Sequence, residues 1–346
     1  MPFFRKTWPS ILVVAVMVLP AAKAYEVAAH EVPVPGTVSP ALQQSIAKGP
    51  PLNWNQVPKD AEGWRKAVSR SAEQVSAKVD VLAEQLKVSI VESNMAGVRV
   101  FLLTPSVVRP ENKNRLLLHI HGGGYVFLPG KAGLQEGLLM AAKGGYKVVS
   151  IDYRMAPDHP YPAAMDDAMA VYREVLKQYP ADRVGVFGTS TGGGMTLALV
   201  LRARTEGLPL PGAVAPGTPW SDLTKTGDSY FTNEGLDTLL VSYSGFLKGA
   251  AEIYANGHDM KDPQLSPVYG DLSGFPPTLL TSGTRDLFLS NTVRVHQKMR
   301  GVGVDADLIV IEGLSHAGYY LLPSDAPELC YYFNQLDQFF NKHLKQ

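Results

Sequence analysis

The sequence predicts an α/β protein: a mostly parallel sheet of eight strands with helices on both faces. Short apolar runs alternate with longer amphipathic segments along most of the chain. The runs are mostly apolar, as expected for strands that are buried on both sides. With 346 residues, of which 45% are hydrophobic and 18% charged, the chain can bury the large core that such a sheet requires.

The predicted strands lie at 88–91, 98–103, 116–120, 147–151, 183–187, 213–215, 278–281 and 308–311. The helices that accompany them are expected at 134–142, 163–178, 195–206, 287–300 and 328–342. Residues 221–271 interrupt this alternation and contain one further predicted helix, at 239–254. This region is predicted to be an insertion over the carboxyl ends of the strands, where open α/β sheets bind ligands.

The N-terminus has the features of a secretory signal peptide. Two basic residues precede an apolar run over 11–22, and Ala22-Lys23-Ala24 has the form of a cleavage site. The run is shorter than the ~20 residues that span a bilayer, which disfavours a membrane anchor. We therefore expect export to the periplasm or the medium, with cleavage after Ala24 and no membrane span in the mature protein.

After the signal, residues 25–87 are expected to form an extended arm and helices, including an amphipathic helix at 61–86. The main domain would then occupy residues 88–346. Lysine plus arginine and aspartate plus glutamate both number 32, and no basic cluster appears, so a nucleic-acid partner is not expected. Cys330 is the only cysteine, which excludes an internal disulfide. Nothing in the sequence indicates the oligomeric state.

A G-x-S-x-G motif, Gly188-Thr189-Ser190-Thr191-Gly192, directly follows an apolar run and precedes a helix-compatible stretch. Strand, sharp turn and helix are the context in which this motif presents a nucleophilic serine. The glycines permit a strained turn, and the start of the helix favours negative charge beside Ser190. Taken alone, the pentapeptide also fits a glycine-rich turn with an incidental serine. Ser190 is the candidate nucleophile.

A second glycine-rich segment, His121-Gly122-Gly123-Gly124, follows the predicted strand at 116–120. Acyl transfer requires preorganised N–H donors for a tetrahedral oxyanion, and a glycine run lets backbone amides point inward. H-G-G-G is the form that this loop takes in many lipases and esterases. The N–H groups of Gly122, Gly123 and Thr191 are the candidate donors of an oxyanion hole. An ordinary flexible loop is the alternative.

A serine hydroxyl needs a base to take its proton, and the base needs a carboxylate to orient it. His316 follows the predicted strand at 308–311 through a short loop, which favours it over the other histidines downstream of Ser190. Asp286 follows the predicted strand at 278–281 and is the candidate carboxylate, although an aspartate here also suits a helix N-cap. Asp307 competes for this role, but it precedes its strand.

Together these motifs resemble the hormone-sensitive-lipase-like carboxylesterases, the bacterial family IV of the α/β-hydrolase superfamily. The resemblance covers about residues 116–318. It is most specific at 152–164, where DYRMAPDHPYPAA is similar to the family's DYRLAPEHPFPAA block, and at 219–223, which resembles its P-W-x-D-L segment. It implies an α/β-hydrolase fold with an α-helical cap, formed by the N-terminal segment and an insertion after the sixth strand. It also implies the triad Ser190, Asp286 and His316.

Three residues depart from the family pattern: Thr189 and Thr191 stand where the family usually has Asp and Ala, and Leu289 stands where it often has an acidic residue. We expect these changes to affect substrate preference or cap contacts more than the class of reaction. The resemblance implies hydrolysis of short- to medium-chain acyl esters or lactones through an acyl-enzyme. An amidase or peptidase using the same triad, or a binding protein on a retired hydrolase scaffold, is the alternative. No metal-ligand spacing appears, and a triad needs no cofactor.

Overall fold

Eight strands form one sheet in the computed structural model, which describes residues 31–346. They are β1 (Val88–Met95), β2 (Val98–Pro105), β3 (Leu116–Ile120), β4 (Lys147–Ile151), β5 (Val184–Thr189), β6 (Ala213–Gly217), β7 (Thr278–Gly283) and β8 (Ala306–Ile311). The order across the sheet is β1-β2-β4-β3-β5-β6-β7-β8. Strand β2 pairs antiparallel with β1 and β4, and the other neighbours are parallel. The predicted fold class is confirmed.

Each central strand sends alternate side chains into two separate hydrophobic cores. In β3, Leu118 and Ile120 belong to one core, together with Val186 of β5. Leu117 belongs to the other core, together with Phe187. Because successive side chains of a strand point to opposite faces, a strand covered on both sides is mostly apolar, and a polar side chain within it is paired, as His119 of β3 is with Ser150 of β4 at 2.9 Å. This explains the continuous apolar runs in the sequence.

The helices among the described residues are α1 (Pro40–Ala47), α2 (Ala61–Leu86), α3 (Gln135–Gly144), α4 (Ala163–Leu176), α5 (Thr191–Thr205), α6 (Ser229–Thr232), α7 (Lys248–Ala255), α8 (Leu289–Gly301) and α9 (Pro327–His343). Helices α4, α5 and α8 contribute to the first core, and α3 and α9 to the second. Helix α2 has the predicted bounds. Its N-cap is Asp60, whose Oδ1 accepts the N–H of Gly63 at 2.8 Å.

Helix α5 begins at Thr191, four residues before the predicted start at 195. Three consecutive glycines disfavour a helix in isolation, which is why the sequence pattern places the start later. In the structure this first turn packs directly against backbone. A Cβ added at Gly193 would lie 2.7 Å from the carbonyl oxygen of Gly217, and one at Gly194 would lie 2.5 Å from that of Trp220. Tertiary packing therefore requires the glycines that local propensity disfavours.

The prediction of one helix at 239–254 is wrong in its first part. A π-helical turn over Tyr243–Leu247 precedes α7, and Gly245 within it has non-helical dihedrals. Before this turn, the side chain of Asp237 accepts the N–H groups of Leu239 and Leu240 at 2.9 and 3.0 Å. Side-chain acceptors of this kind compete with helical hydrogen bonds. The segment is consequently a tight turn followed by a shorter helix.

The N-terminal segment packs against the insertion between β6 and β7. A Cβ on Gly245 would lie 3.0 Å from the carbonyl oxygen of Trp54, and one on Gly249 would lie 2.7 Å from the Val57 side chain. The ring of Trp64, at the start of α2, lies 5.9 Å from that of Phe127. The predicted signal peptide, residues 1–24, lies outside the described residues. Within residues 31–346, no helix has the length and apolarity needed to cross a bilayer.

Candidate active site

Ser190 lies at the sharp turn between β5 and α5, with φ 65° and ψ −122°. A non-glycine residue with positive φ is strained, and such strain persists only where the surroundings hold it. Here the N–H of Ser190 donates to the carbonyl of Gly217 at 2.9 Å, and its own carbonyl accepts from Trp220 N at 2.8 Å. The turn leaves the Ser190 side chain half-buried rather than enclosed.

The glycines on either side of this turn are required by the close approach of β3. A Cβ added at Gly188 would lie 2.0 Å from the carbonyl oxygen of Ile120, and one at Gly192 would lie 1.9 Å from the same atom. Both distances are far below van der Waals contact, and the obstacle is backbone. The glycines of the motif therefore bring the candidate nucleophile directly beside the loop that follows β3.

Replacing Gly192 with alanine is expected to lower the free energy of unfolding by at least ~3 kcal/mol, because the added methyl collides with backbone that has no room to move. Urea unfolding of the variant measures this loss. Gly301 is the matched control, since it also lies in a helix but has no atom within 4 Å of an added Cβ. Gly301→Ala is expected to change the stability by no more than ~1 kcal/mol. Equal effects of the two substitutions would contradict this account.

Asp286 and His316 are brought together from the loops that follow β7 and β8. The Nδ1 atom of His316 lies 3.1 Å from Oδ1 of Asp286, and both side chains are buried. Ser282 Oγ donates to Oδ2 of Asp286 at 2.6 Å, and Phe288 N donates to Oδ1 at 2.8 Å. Burial opposes ionisation of Asp286, but His316 and the hydroxyl donors outweigh it, so its pKa is lowered below the ordinary value.

The contact between Asp286 and Nδ1 leaves Nε2 as the free nitrogen of the His316 ring. Within the part of the chain that the structure describes, Nε2 is buried and has no hydrogen-bond partner. His316 and Ser190 line the same cavity. Asp307, the competing carboxylate, is an exposed residue at the second position of β8 and does not line this cavity.

The loop after β3 forms another wall of the cavity through Gly122, Gly123 and Gly124. Gly122 directly adjoins the nucleophile turn, since a Cβ there would lie 3.2 Å from Cβ of Ser190. His121 stacks on Tyr153 with ring centroids 4.2 Å apart, and burial lowers the pKa of His121 to about 4. The ring of His121 is thus neutral at neutral pH and supports the loop. Thr191, the third candidate donor, is the first residue of α5 and is fully buried.

The cavity has a volume of about 370 Å³ and is lined mainly by apolar side chains. The N-terminal segment contributes Val75 from α2, and the insertion contributes Leu239, Leu240, Phe246 and Leu247. Two segments far apart in sequence therefore cover the site from above the carboxyl ends of the strands. Gln135 and Glu136, the first two residues of α3, add polar atoms to the cavity wall.

The hydroxyl of Thr189 makes its described hydrogen bonds to groups outside the cap. Its hydroxyl oxygen lies 2.8 Å from Oε1 of Glu136 and 2.8 Å from the hydroxyl of Tyr319. Oε2 of Glu136 in turn lies 3.1 Å from Nε2 of His119 in β3. Where the family pattern has an aspartate before the serine, this chain thus supplies a buried carboxylate from a different element, α3. Thr189 also lines the cavity, so its effect on substrate preference stays a prediction.

Two residues near the candidate triad were missed by sequence reasoning. Thr218 follows β6, and its hydroxyl contacts Oδ2 of Asp286 and lies 3.0 Å from Nδ1 of His316. A position just after a strand is the signal that identified Asp286 and His316, and it would also have identified Thr218. Asp237 lies in the insertion and contacts the backbone of both loops. No local pattern distinguishes it from other polar residues of the insertion.

The sheet topology, with a serine turn after the fifth strand and a histidine loop after the eighth, defines the class of protein: an α/β hydrolase. The model of the α/β hydrolase fold family matches residues 117–320, more than half of the chain. A crystal structure of an esterase superposes with a TM-score of 0.89 at 43% identity, covering 93% of this chain and 99% of that one. An esterase of the bacterial hormone-sensitive lipase family superposes with a TM-score of 0.70 at 27% identity, covering 80% and 97%.

Relatives of known sequence include an ethyl acetate hydrolase of Pseudomonas putida, 28% identical over 270 residues, which are 74% of this chain and 82% of that protein. An acetyl-hydrolase of Streptomyces hygroscopicus is 36% identical over 186 residues, 53% of this chain. The chain spans 62% of the length of that acetyl-hydrolase. The chain belongs to the α/β hydrolase fold family, and within it to the hormone-sensitive-lipase-like carboxylic ester hydrolases.

Proposed function

We propose that the protein cleaves carboxylic esters with Ser190 as the nucleophile, His316 as the general base and Asp286 as the carboxylate that orients His316. One observation carries this proposal: Asp286 is hydrogen-bonded to the ring of His316, and His316 lines the same cavity as Ser190 at its strained turn. Since Asp286 engages Nδ1, the ring presents Nε2 to the serine hydroxyl.

In the first half of the reaction, Oγ of Ser190 attacks the ester carbonyl carbon while Nε2 of His316 takes the hydroxyl proton. The N–H groups of Gly122, Gly123 and Thr191 stabilise the oxyanion that forms. Collapse of this intermediate breaks the bond to the alcohol oxygen, which takes the proton from His316. In the second half, water attacks the acyl-enzyme with the same base, and the acid leaves while the proton returns to Ser190.

The lining of the cavity favours an uncharged substrate of modest size. Its wall is largely apolar, and burial of a charged group without a partner is costly. Glu136, the acidic side chain in the wall, further disfavours an anionic substrate. A volume of about 370 Å³ suits a short- to medium-chain acyl ester. Two of the relatives are named for the hydrolysis of acetyl groups, which agrees with this size.

Steady-state kinetics with three p-nitrophenyl compounds tests the proposed function. We expect p-nitrophenyl butyrate to be hydrolysed readily, and the anionic p-nitrophenyl hemisuccinate at least about tenfold less efficiently in kcat/KM, because its carboxylate must be desolvated. The matched anilide should react at least about 100-fold more slowly, since its poor leaving group requires stronger protonation. An anilide cleaved as fast as the ester would assign an amidase instead, and no turnover of either compound would refute the proposal.

A further inference from the structure

Asp237, in the turn that follows α6, is a fully buried carboxylate with no role in the mechanism above. Its Oδ2 accepts two N–H groups: that of Leu287, the residue after Asp286, at 2.8 Å, and that of His316 at 3.2 Å. Its Oδ1 accepts those of Leu239 and Leu240 within its own turn. One side chain of the insertion therefore joins the loop that carries Asp286, the candidate orienting carboxylate, to the loop that carries His316, the candidate base.

Neighbouring residues of the insertion reinforce these contacts. The N–H of Thr238 donates to Oγ of Ser315, the residue before His316, at 3.0 Å. Nδ2 of Asn233 donates to the carbonyl of Asp286 at 2.8 Å. Leu239 and Leu240, whose N–H groups Asp237 binds, line the cavity. The substrate-facing wall of the insertion and the loops of Asp286 and His316 are thus fixed to one carboxylate.

The four hydrogen bonds that the described residues make to Asp237 come from N–H donors, so both of its oxygens act as acceptors, as in an ionised carboxylate. The charged or titratable side chains that face it are Asp286 and His316. Burial, and then the charge of Asp286, raise the pKa of Asp237, whereas His316 lowers it. Two buried carboxylates that repel each other both stabilise a positive charge on the imidazole near them.

We propose that Asp237 is a positioning residue for ester hydrolysis: it holds the loops of Asp286 and His316 at their working separation and favours the imidazolium form of His316 during the reaction. This inference rests on the proposed function of Ser190, Asp286 and His316. Asp237 does not line the cavity, so it acts through His316 rather than on the substrate.

The test compares pH–rate profiles of the wild-type protein and Asp237→Asn with p-nitrophenyl butyrate. A nearby negative charge stabilises imidazolium, so its removal lets the base stay deprotonated at lower pH. The acidic limb of the kcat–pH profile is expected to shift to lower pH by roughly one unit. On the plateau, kcat is expected to fall about tenfold or more while KM changes by less than about threefold, because the lost contact matters in the transition state.

Asp237→Ser provides a second neutral variant in case the amide disturbs folding. A serine hydroxyl still accepts the N–H two residues on, so it preserves the turn at Leu239 while removing the charge. It is expected to show the same shift of the acidic limb. Asp222→Asn is the matched control: Asp222 is equally buried in the insertion, but it pairs with Arg294 at 2.7 Å. This control is expected to lower stability and leave the acidic limb in place.

An acidic limb and a plateau kcat that are unchanged in the folded Asp237 variants would overturn the inference. Thermal unfolding shows which variants are folded at the assay temperature. Ser190→Ala, assayed alongside, distinguishes a failure of the proposed function from a failure of the role of Asp237. If Ser190→Ala keeps its activity, the proposed function has failed; if Ser190 is essential and the Asp237 variants behave as wild type, only the role of Asp237 has failed.

Discussion

Replacing Ser190 with alanine is expected to lower kcat for p-nitrophenyl butyrate by about 10⁵-fold or more, leaving only what the oxyanion hole and binding supply. The hydroxyl is the atom that becomes acylated, and the described cavity wall offers no other serine to replace it. Alanine keeps the backbone turn, because its Cβ occupies the position that serine already tolerates. The free energy of unfolding is therefore expected to change little.

A fluorophosphonate probe gives a second measure of the same substitution. The wild-type protein should gain one covalent adduct, located by mass spectrometry on the peptide that contains Ser190, and Ser190→Ala should gain none. Ser69→Ala, on the exposed surface of α2, is the matched control and should label and turn over as the wild type does. Substantial activity of folded Ser190→Ala would refute the assignment of the nucleophile.

Replacing Asp286 with asparagine is expected to lower kcat by about 10³–10⁴-fold, or about 4–5 kcal/mol of transition-state stabilisation. Asparagine has the same shape, and the hydroxyls of Thr218 and Ser282 can turn to accept from its amide. Two properties are lost, however: the negative charge that stabilises imidazolium, and the acceptor preference that holds the proton of His316 on Nδ1. KM is expected to change much less than kcat, since Asp286 does not line the cavity.

Asp307→Asn is the control for this experiment, because Asp307 is the carboxylate that competes with Asp286 in the sequence. It is exposed on β8, and its substitution should leave kcat within about twofold of the wild-type value. If Asp307→Asn loses activity while Asp286→Asn keeps it, the carboxylate of the triad would have to be reassigned to Asp307. Circular dichroism of both variants establishes that any loss is not a loss of fold.

Much of the fold was predictable because its determinants are local. Strands β3 and β4 were predicted with their observed bounds, since a strand buried on both faces is mostly apolar and stands out as a short run in the sequence. Helix α2 was equally predictable from the sequence, because its N-cap and its apolar positions lie within one segment. The start of α5 was placed too late, because the glycines that disfavour a helix locally are required by backbone from β3 and β6.

The amino-acid order by itself determined the individual strands, the strained serine turn and the loops that carry Asp286 and His316, since each depends on residues adjacent in the chain. Only the tertiary structure decided which groups surround that pair. Asp237 lies 50 residues before Leu287 and 79 before His316, and it meets their N–H groups only when the insertion folds over the sheet. Backbone N–H groups are the same in every residue, so no sequence pattern marks which of them a distant carboxylate will bind.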